Sequence, residues 1–418
     1  MKFIHTADIH LDSPLVGLAA YQNAPLASLR TATRDAFSAL VDLAIDEAVD
    51  FMVIAGDLYD GAWKDYNTGH FFVREMGRLH QAGVPVYLLH GNHDAESEMT
   101  KRLTLPPNVH LFDTKKPSSH RIAALRVALH GRSFREAATL ENLAITYPDA
   151  VPGWLNIGVL HTALEGYAAH PRYAPCSLAE LTAKGYDYWA LGHVHEFAVL
   201  QENPWVVFPG NLQGRQIRET GPRGAVLVTA DETGILTVER CIVDVLRWQR
   251  LSVDVSTAVD LAGVVALAST ALAALLAAQD HAKPMALRVS LSGRSAAHGA
   301  LFGSEALLRE EVLALAAALG GERLWIEKVQ VETTPALDAG QIHARADALA
   351  DLQTLLAQVG EDPDFLRSLT DDLRLLSGKA PAELMDAVPE LKAIRAAEIG
   401  PLIESVIPGL LARLALAH

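Results

Sequence analysis

Five short segments in the first half of the chain hold the residue types of a centre that cleaves phosphoesters with two cations. They are Asp8-Ile-His10, Gly56-Asp57-Leu-Tyr-Asp60, Gly91-Asn92-His93-Asp94, Leu160-His161 and Gly192-His193-Val-His195. Cleaving a phosphodiester requires charge neutralisation at the phosphoryl oxygens, an activated water and a stabilised leaving oxygen. Two cations about 3.5–4 Å apart supply all three. Such a centre needs a shared carboxylate and several neutral imidazoles, and these segments offer that mixture. A lone Asp-x-His or His-x-His reads as polarity at a strand end; it is the co-occurrence of five segments that points to metal.

The elements that must position these residues can be read beside them. Apolar runs precede the motifs: Phe51-Met-Val-Ile54, Val86-Tyr-Leu-Leu89, Ile157-Gly-Val-Leu160 and Tyr188-Trp-Ala-Leu191. Polar residues just beyond apolar runs are what ligands at the carboxyl ends of sheet strands look like. Helical stretches at 30–48 and 68–81 would cover the sheet, and runs at 205–212 and 225–229 read as further strands. This predicts an α/β domain over residues 1–245. Near Trp248 the pattern changes to short strands (250–255, 287–291, 324–331), an alanine-rich helix and a helix near 305–318, which predicts an α+β unit over 246–333. Thr333 to Gly340 reads as a linker. The remainder, 341–418, reads as amphipathic helices with leucines at helical spacing in 348–356, 365–376 and 402–414.

Composition bounds the rest. A chain of 418 residues with 50% apolar content suits two or three domains with real cores. The start, MKFIHTADIH, lacks the basic and apolar regions of a signal peptide, and two cysteines, Cys176 and Cys241, are too few for a disulfide framework. A cytoplasmic protein is expected. Leu261 to Gln279 carries no charge, but its alanine content, helical spacing and Asp260 and Asp280 flanks predict a packed helix rather than a membrane span. The net charge of −15 argues against binding nucleic acid by bulk electrostatics. From Val331 to His418 there are fourteen Asp/Glu and seven Lys/Arg, so about half of that charge lies in the last fifth of the chain. Bound cations would offset the acidic centre.

In order and spacing the motif set resembles the calcineurin-like metallophosphoesterases. The opening His5-Thr-Ala-Asp-Ile-His-Leu-Asp12 is similar to the SbcD-type DNA repair nucleases that act with SMC-like ATPases. Gly56-Asp-Leu-Tyr-Asp-Gly61, His90-Gly-Asn-His-Asp94, Tyr173-Ala-Pro-Cys176, Gly185 to His195 and Phe208-Pro-Gly-Asn-Leu-Gln-Gly-Arg215 look closer still to the YhaO-type bacterial DNA repair exonucleases, over roughly residues 1–240. The resemblance implies a four-layer α-β-β-α sandwich, a small α+β capping domain and a helical C-terminal region. It places Asp8, His10, Asp57 and His195 on one metal and Asp57, Asn92, His161 and His193 on the other, with Asp57 bridging. Mn²⁺ suits such a ligand set, with Fe or Zn as competitors. His93 would be the acid or phosphate-orienting imidazole.

Asp60 departs from the nuclease pattern, in which a histidine commonly stands there. It is similar instead to the second aspartate of the phosphoprotein phosphatases, which pairs with the histidine of Gly-Asn-His. The implied activity is a two-metal DNA exonuclease or endonuclease acting in DNA repair at the nucleoid. Its implied partners are DNA, an SMC-like ATPase docked on the C-terminal helices, and a second copy of the chain. Phosphatase or phosphodiesterase action on small or protein substrates, favoured by Asp60 and the acidic charge, is the alternative; a DNA-end-binding scaffold is the third reading. Asn211 and Arg215 could approach a substrate phosphate from an exposed turn. Asp12 and Asp94 read as caps or partners of ligands, and His90 and His130 as structural. His5, His70, His80, His110, His120 and His170 read as ordinary exposed or half-buried residues, and Trp205 and Trp248 as core.

Overall fold

The fold is described from a computed structural model over residues 1–15, 18, 26–61, 66–96, 103–165, 173–279, 283–301, 304–336, 348–359, 362–377, 389–396, 398–404, 406–407 and 410. His170 and most of the expected helix at 402–414 lie outside them. Two compact units are present, Met1–Gln249 with Ala282–Ala286, and Arg250–His281 with Leu287–His418.

The first unit stacks two six-stranded sheets. With β10 spanning Trp205–Phe208, β11 Gly224–Asp231 and β12 Gly234–Ile242, one runs β12-β11-β1-β2-β3-β4 and the other β5-β6-β7-β8-β10-β9. The central strands are β1 (Lys2–Thr6), β2 (Phe51–Ala55) and β3 (Val86–Leu89) in the first sheet, and β7 (Leu155–His161) and β8 (Tyr188–Gly192) in the second. They are parallel to their neighbours within this set and buried on both faces, which is why their sequences are apolar without alternation. Phe3, Phe51, Val53, Leu89, Ile157, Val159 and Tyr188 fill the space between the sheets, with Phe3 and Phe51 stacked at 4.8 Å.

The outer face of the first sheet carries Ile4, Met52, Ile54 and Leu88. It packs against Phe37, Leu40, Val41, Phe72 and Met76 from α1 (Leu26–Asp46) and α2 (Tyr66–Gln81). On the outer face of the second sheet, Leu160, Trp189, Leu191 and Phe208 are covered by Phe134, Tyr147 and Leu181, the last from the short α4 (Leu178–Ala183), which follows the one-turn α3 (Asn92–Glu96) in the chain. The layers are therefore α-β-β-α, with the fourth built largely of loops. The β5 (Ser118–Ile122) and β6 (Val127–Gly131) hairpin and the edge strands β4 (Val109–Leu111) and β9 (Ala198–Glu202) complete the sheets.

In the second unit, β13 (Arg247–Asp254), β14 (Met285–Ser295) and β15 (Leu324–Pro335) form a three-stranded sheet that begins at the boundary. The alanine-rich α5 (Leu261–Ala277) is capped by Asp260, whose side chain accepts from Gly263 N at 2.8 Å, and buries Val264, Ala268 and Leu272, one residue per turn. No described helix is long and apolar enough to cross a membrane. The linker reading at Thr333 is corrected: β15 continues through Pro335 because Thr333 is a buried position in that strand. Helices also occupy 348–359, 363–377 and 389–396.

Candidate metal centre

The five segments meet where the central strands of both sheets end. The backbone turns there at unusual angles: Asp8, His10, Asp57 and His193 have φ of 50°, 47°, 54° and 97°. Left-handed backbone is costly for residues with a Cβ and persists where the surroundings enforce it. Here Asp8 N donates to Gly56 O at 3.0 Å and His10 N to Asp57 O at 3.1 Å. His193 N donates to Asp8 Oδ2 at 2.9 Å and His93 N to Asp57 Oδ1 at 3.0 Å. Gly91 is demanded by close approach, since a Cβ there would lie 2.4 Å from Asp57 Oδ1. Asp94 accepts from Leu58 N, Tyr59 N and Gly91 N at 3.0–3.2 Å, tying the two loops together.

Tautomers follow from partners that can only accept. His161 Nδ1 lies 2.9 Å from Ala55 O and His195 Nδ1 lies 2.9 Å from Glu219 Oε1, so in each ring Nδ1 carries a proton and Nε2 is the atom turned inward. His10 Nδ1 faces Asp60 Oδ1 across 3.5 Å. The inward atoms are then nearly all acceptors. His10 Nε2 is 3.3 Å from His195 Nε2 and 3.9 Å from Asp57 Oδ2, and His195 Nε2 is 3.8 Å from Asp8 Oδ1. His161 Nε2 is 3.0 Å from Asn92 Oδ1 and 3.4 Å from Asp57 Oδ2. The candidate ligand atoms form three groups, Asp8/His10/His195, His10/Asp60/His93 and Asp57/His161/His193, within 4.8 Å in each, and the first two share His10. Ligand atoms converging in this way, in buried surroundings, suit cations, and bonds of about 2.0–2.2 Å to nitrogen and oxygen give ligand–ligand spacings of this order. The residues present fit a two-metal centre.

Burial and close charge shift the protonation of the metal-free site. Burial pushes Asp8 up to about 6, against the pull of His195 and His161. Burial and the Arg215 charge push His10 down to about 3, although Asp60 and Asp57 oppose it, so this imidazole is neutral. Burial disfavours charge on both Asp57 and His161, yet each overrides it for the other. Asp57 is held well below the carboxylate range, and His161 rises to about 9.

Asp60 stands between two rings rather than on His93 alone. Its Oδ1 is 3.5 Å from both His93 Nδ1 and His10 Nδ1, and its Oδ2 accepts from Ser13 Oγ at 2.8 Å. The contact with His10, assisted by Ser13 and Arg215 against partial burial, holds it well below the usual range. Arg215 lies beside it, with Nη1 3.8 Å from Asp60 and 3.1 Å from Ser13 Oγ.

Other readings are placed or corrected. Asn211 is wholly buried and donates to Gln213 O and Glu219 Oε2, so the expected exposed turn is a packed one. His5 is fully buried, between Tyr188 Oη and Leu191 O at 3.0 Å each, because it joins the two sheets. Asp12 pairs with Arg34 and accepts from Thr68. His130 bonds Ser119 and Asn156, and Trp248 is buried with its indole N–H on Gly214 O. Two residues had no sequence signal beyond a polar stretch after the last motif: Glu219, and the buried Arg223, which donates to His195 O and Asn211 Oδ1.

A two-sheet sandwich with acceptor clusters at its strand ends defines a class, and the comparisons give the same one. Residues 1–197 match the calcineurin-like phosphoesterases, and residues 248–334 match the middle domain of metallophosphoesterase YhaO. The chain belongs to the calcineurin-like metallophosphoesterases. Within them it is 34% identical to the uncharacterized metallophosphoesterase YhaO of Bacillus subtilis, over 70% of this chain and 72% of that protein. It is 26% identical to the DNA double-strand break repair protein Mre11 of Methanopyrus kandleri over 47% of this chain, and spans only 44% of that relative. The Sulfurisphaera tokodaii Mre11 is likewise 26% identical, over 50% of this chain and 57% of its own length. A solved dimetal phosphatase from Danio rerio covers 58% of this chain and 99% of its own at 13% identity and a TM-score of 0.35.

Proposed function

We propose that this chain is a two-metal DNA phosphodiesterase of DNA repair. The observation that carries the reading is the convergence of acceptors from Asp8, His10, Asp57, Asn92, His161, His193 and His195, joined to similarity with proteins named for double-strand break repair. Two bound cations, with Mn²⁺ as our assignment, would activate water and neutralise the phosphoryl oxygens. Asp57, whose Oδ2 lies 3.4 Å from His161 Nε2 and 3.9 Å from His10 Nε2, would be the carboxylate shared by the two ions. His93, 37% exposed at its side chain, presents its outer nitrogen to the leaving sugar oxygen while its Nδ1 faces Asp60. Arg215 supplies a fixed guanidinium for a phosphate oxygen. A partner coiled-coil ATPase of the SMC type docks on the C-terminal helices, and the enzyme works at the nucleoid as a dimer.

One observation favours a second reading, hydrolysis of small or protein phosphoesters: Asp60 sits at equal distance from His10 and His93, as an orienting carboxylate would. The test is Mn²⁺-dependent cleavage of end-labelled DNA beside a chromogenic phosphodiester, with the wild type, Asp57→Asn and His93→Ala. We expect DNA cleavage that Asp57→Asn abolishes and His93→Ala lowers by about 10²–10⁴-fold. Chromogenic turnover without DNA cleavage, even with a candidate ATPase added, would transfer the assignment to the second reading.

A further inference from the structure

Glu219 lies outside the groups of candidate ligand atoms, yet four donors point at it. Its side chain is 6% exposed. Oε1 accepts from His195 Nδ1 at 2.9 Å and faces Arg215 Nη2 at 3.5 Å; Oε2 accepts from Asn211 Nδ2 at 2.9 Å and from the Arg215 backbone N–H at 2.7 Å. Asn211 is in turn held through its Oδ1 by the buried guanidinium of Arg223, which also grips the His195 carbonyl.

We propose that Glu219 is a positioning residue: it fixes the His195 tautomer and rotation for the cation at Asp8 and His10, and it sets Arg215 by the same carboxylate. The inference rests on the metal-centre reading and deepens it. Histidine ligands commonly give their outer N–H to a carboxylate, which orients the ring and raises its basicity. Here both oxygens are committed to donors. An amide in place of the carboxylate must therefore turn its NH₂ toward one of them. Turned toward His195, it selects the tautomer with Nε2–H, whose proton occupies the cation's place. Turned away, it confronts the Asn211 amide and the Arg215 N–H together. Asp at this position keeps an all-acceptor group with a shorter reach.

The test is Mn²⁺ binding to the full chain, followed by calorimetry and by the spin-resonance signal of free Mn²⁺. It is made on the wild type, Asp57→Asn, Glu219→Gln and Glu219→Asp, each checked for melting temperature without metal. We expect two ions in the wild type and loss of both in Asp57→Asn. In Glu219→Gln, one ion should be retained and the other bound 10–100-fold more weakly, with partial recovery in Glu219→Asp. Two ions at wild-type affinity in Glu219→Gln overturn the role of Glu219 while leaving the centre standing. Loss of both ions with a lowered melting temperature marks a structural role and overturns it too. Absence of bound metal in the wild type overturns the centre itself. Should Glu219→Gln not fold, nitrogen chemical shifts of the histidine rings in the metal-free wild type decide, with His195 assigned by His195→Asn. An Nδ1–H tautomer is expected, and Nε2–H overturns the proposal.

Discussion

At the scale of single residues, the metal-free site stores its own competitor for the cation, a proton. His161 has a pKa raised to about 9 by Asp57, against burial, so at neutral pH its Nε2 is protonated and must be deprotonated to bind metal. Apparent Mn²⁺ affinity should therefore rise about tenfold per pH unit up to pH 9 and then level off, and fall more steeply below pH 6, where Asp8 also takes up a proton. The folding linkage has the opposite sign. A raised pKa stabilises the metal-free fold fully below the unfolded value of 6.5, and that contribution disappears as pH passes through about 9. Titration of Mn²⁺ from pH 6 to 9.5, in buffers of different ionisation enthalpy to count released protons, checks both slope and stoichiometry. A flat affinity between pH 7 and 9 would contradict the account.

At the scale of elements, the strand ends are coupled by contacts so short that side chains cannot intrude. Gly192 pairs with His161 across β7 and β8, and a Cβ on it would lie 2.0 Å from Ala55 O and 2.8 Å from His161 Nδ1. Gly192→Ala must push the second sheet away from the end of β2 and rotate His161 off its anchor. Overpacking of this kind costs roughly 1–3 kcal/mol, and here it should lower both the melting temperature and Mn²⁺ affinity. Gly77→Ala, in α2 with nothing within 4 Å of the added carbon, should leave metal binding unchanged and stabilise the helix by about 0.5–1 kcal/mol. Thermal melts of both variants with and without Mn²⁺ separate the two effects. The same elements explain what could be read in advance. Four of the ligand segments were legible because they follow buried apolar runs within a residue or two, and Asp8-Ile-His10 by its residue types, since His5 and Thr6 interrupt the run before it. The β5 strand, Ser118-Ser-His-Arg-Ile122, was not, because it is half-exposed and polar at a sheet edge. Glu219 was illegible because its partners, His195, Asn211 and Arg215, meet it only in the folded loop.

At the scale of the whole molecule, charge limits how DNA can be held. The chain carries 35 Lys/Arg against 50 Asp/Glu, and the last 88 residues hold seven and fourteen of these, which leaves 28 and 36 in the rest. Neither portion has the basic excess that grips a phosphate backbone along its length. On the proposed DNA reading, contact should therefore be confined to the centre, where bound cations and Arg215 would meet two or three phosphates, a footprint of roughly two to three neutralised charges. For B-DNA, log binding constant falls against log salt with a slope of about −0.9 per phosphate neutralised, so we expect a slope of about −2 to −3 for the isolated chain. DNA binding by anisotropy from 50 to 300 mM KCl, with Ca²⁺ in place of Mn²⁺ to suppress cleavage, gives this number directly. A slope steeper than about −6 would require a basic track on this chain despite its acidic balance. A shallow slope that steepens when a candidate ATPase is added would assign the phosphate grip to the partner, leaving this chain to supply the scissile chemistry.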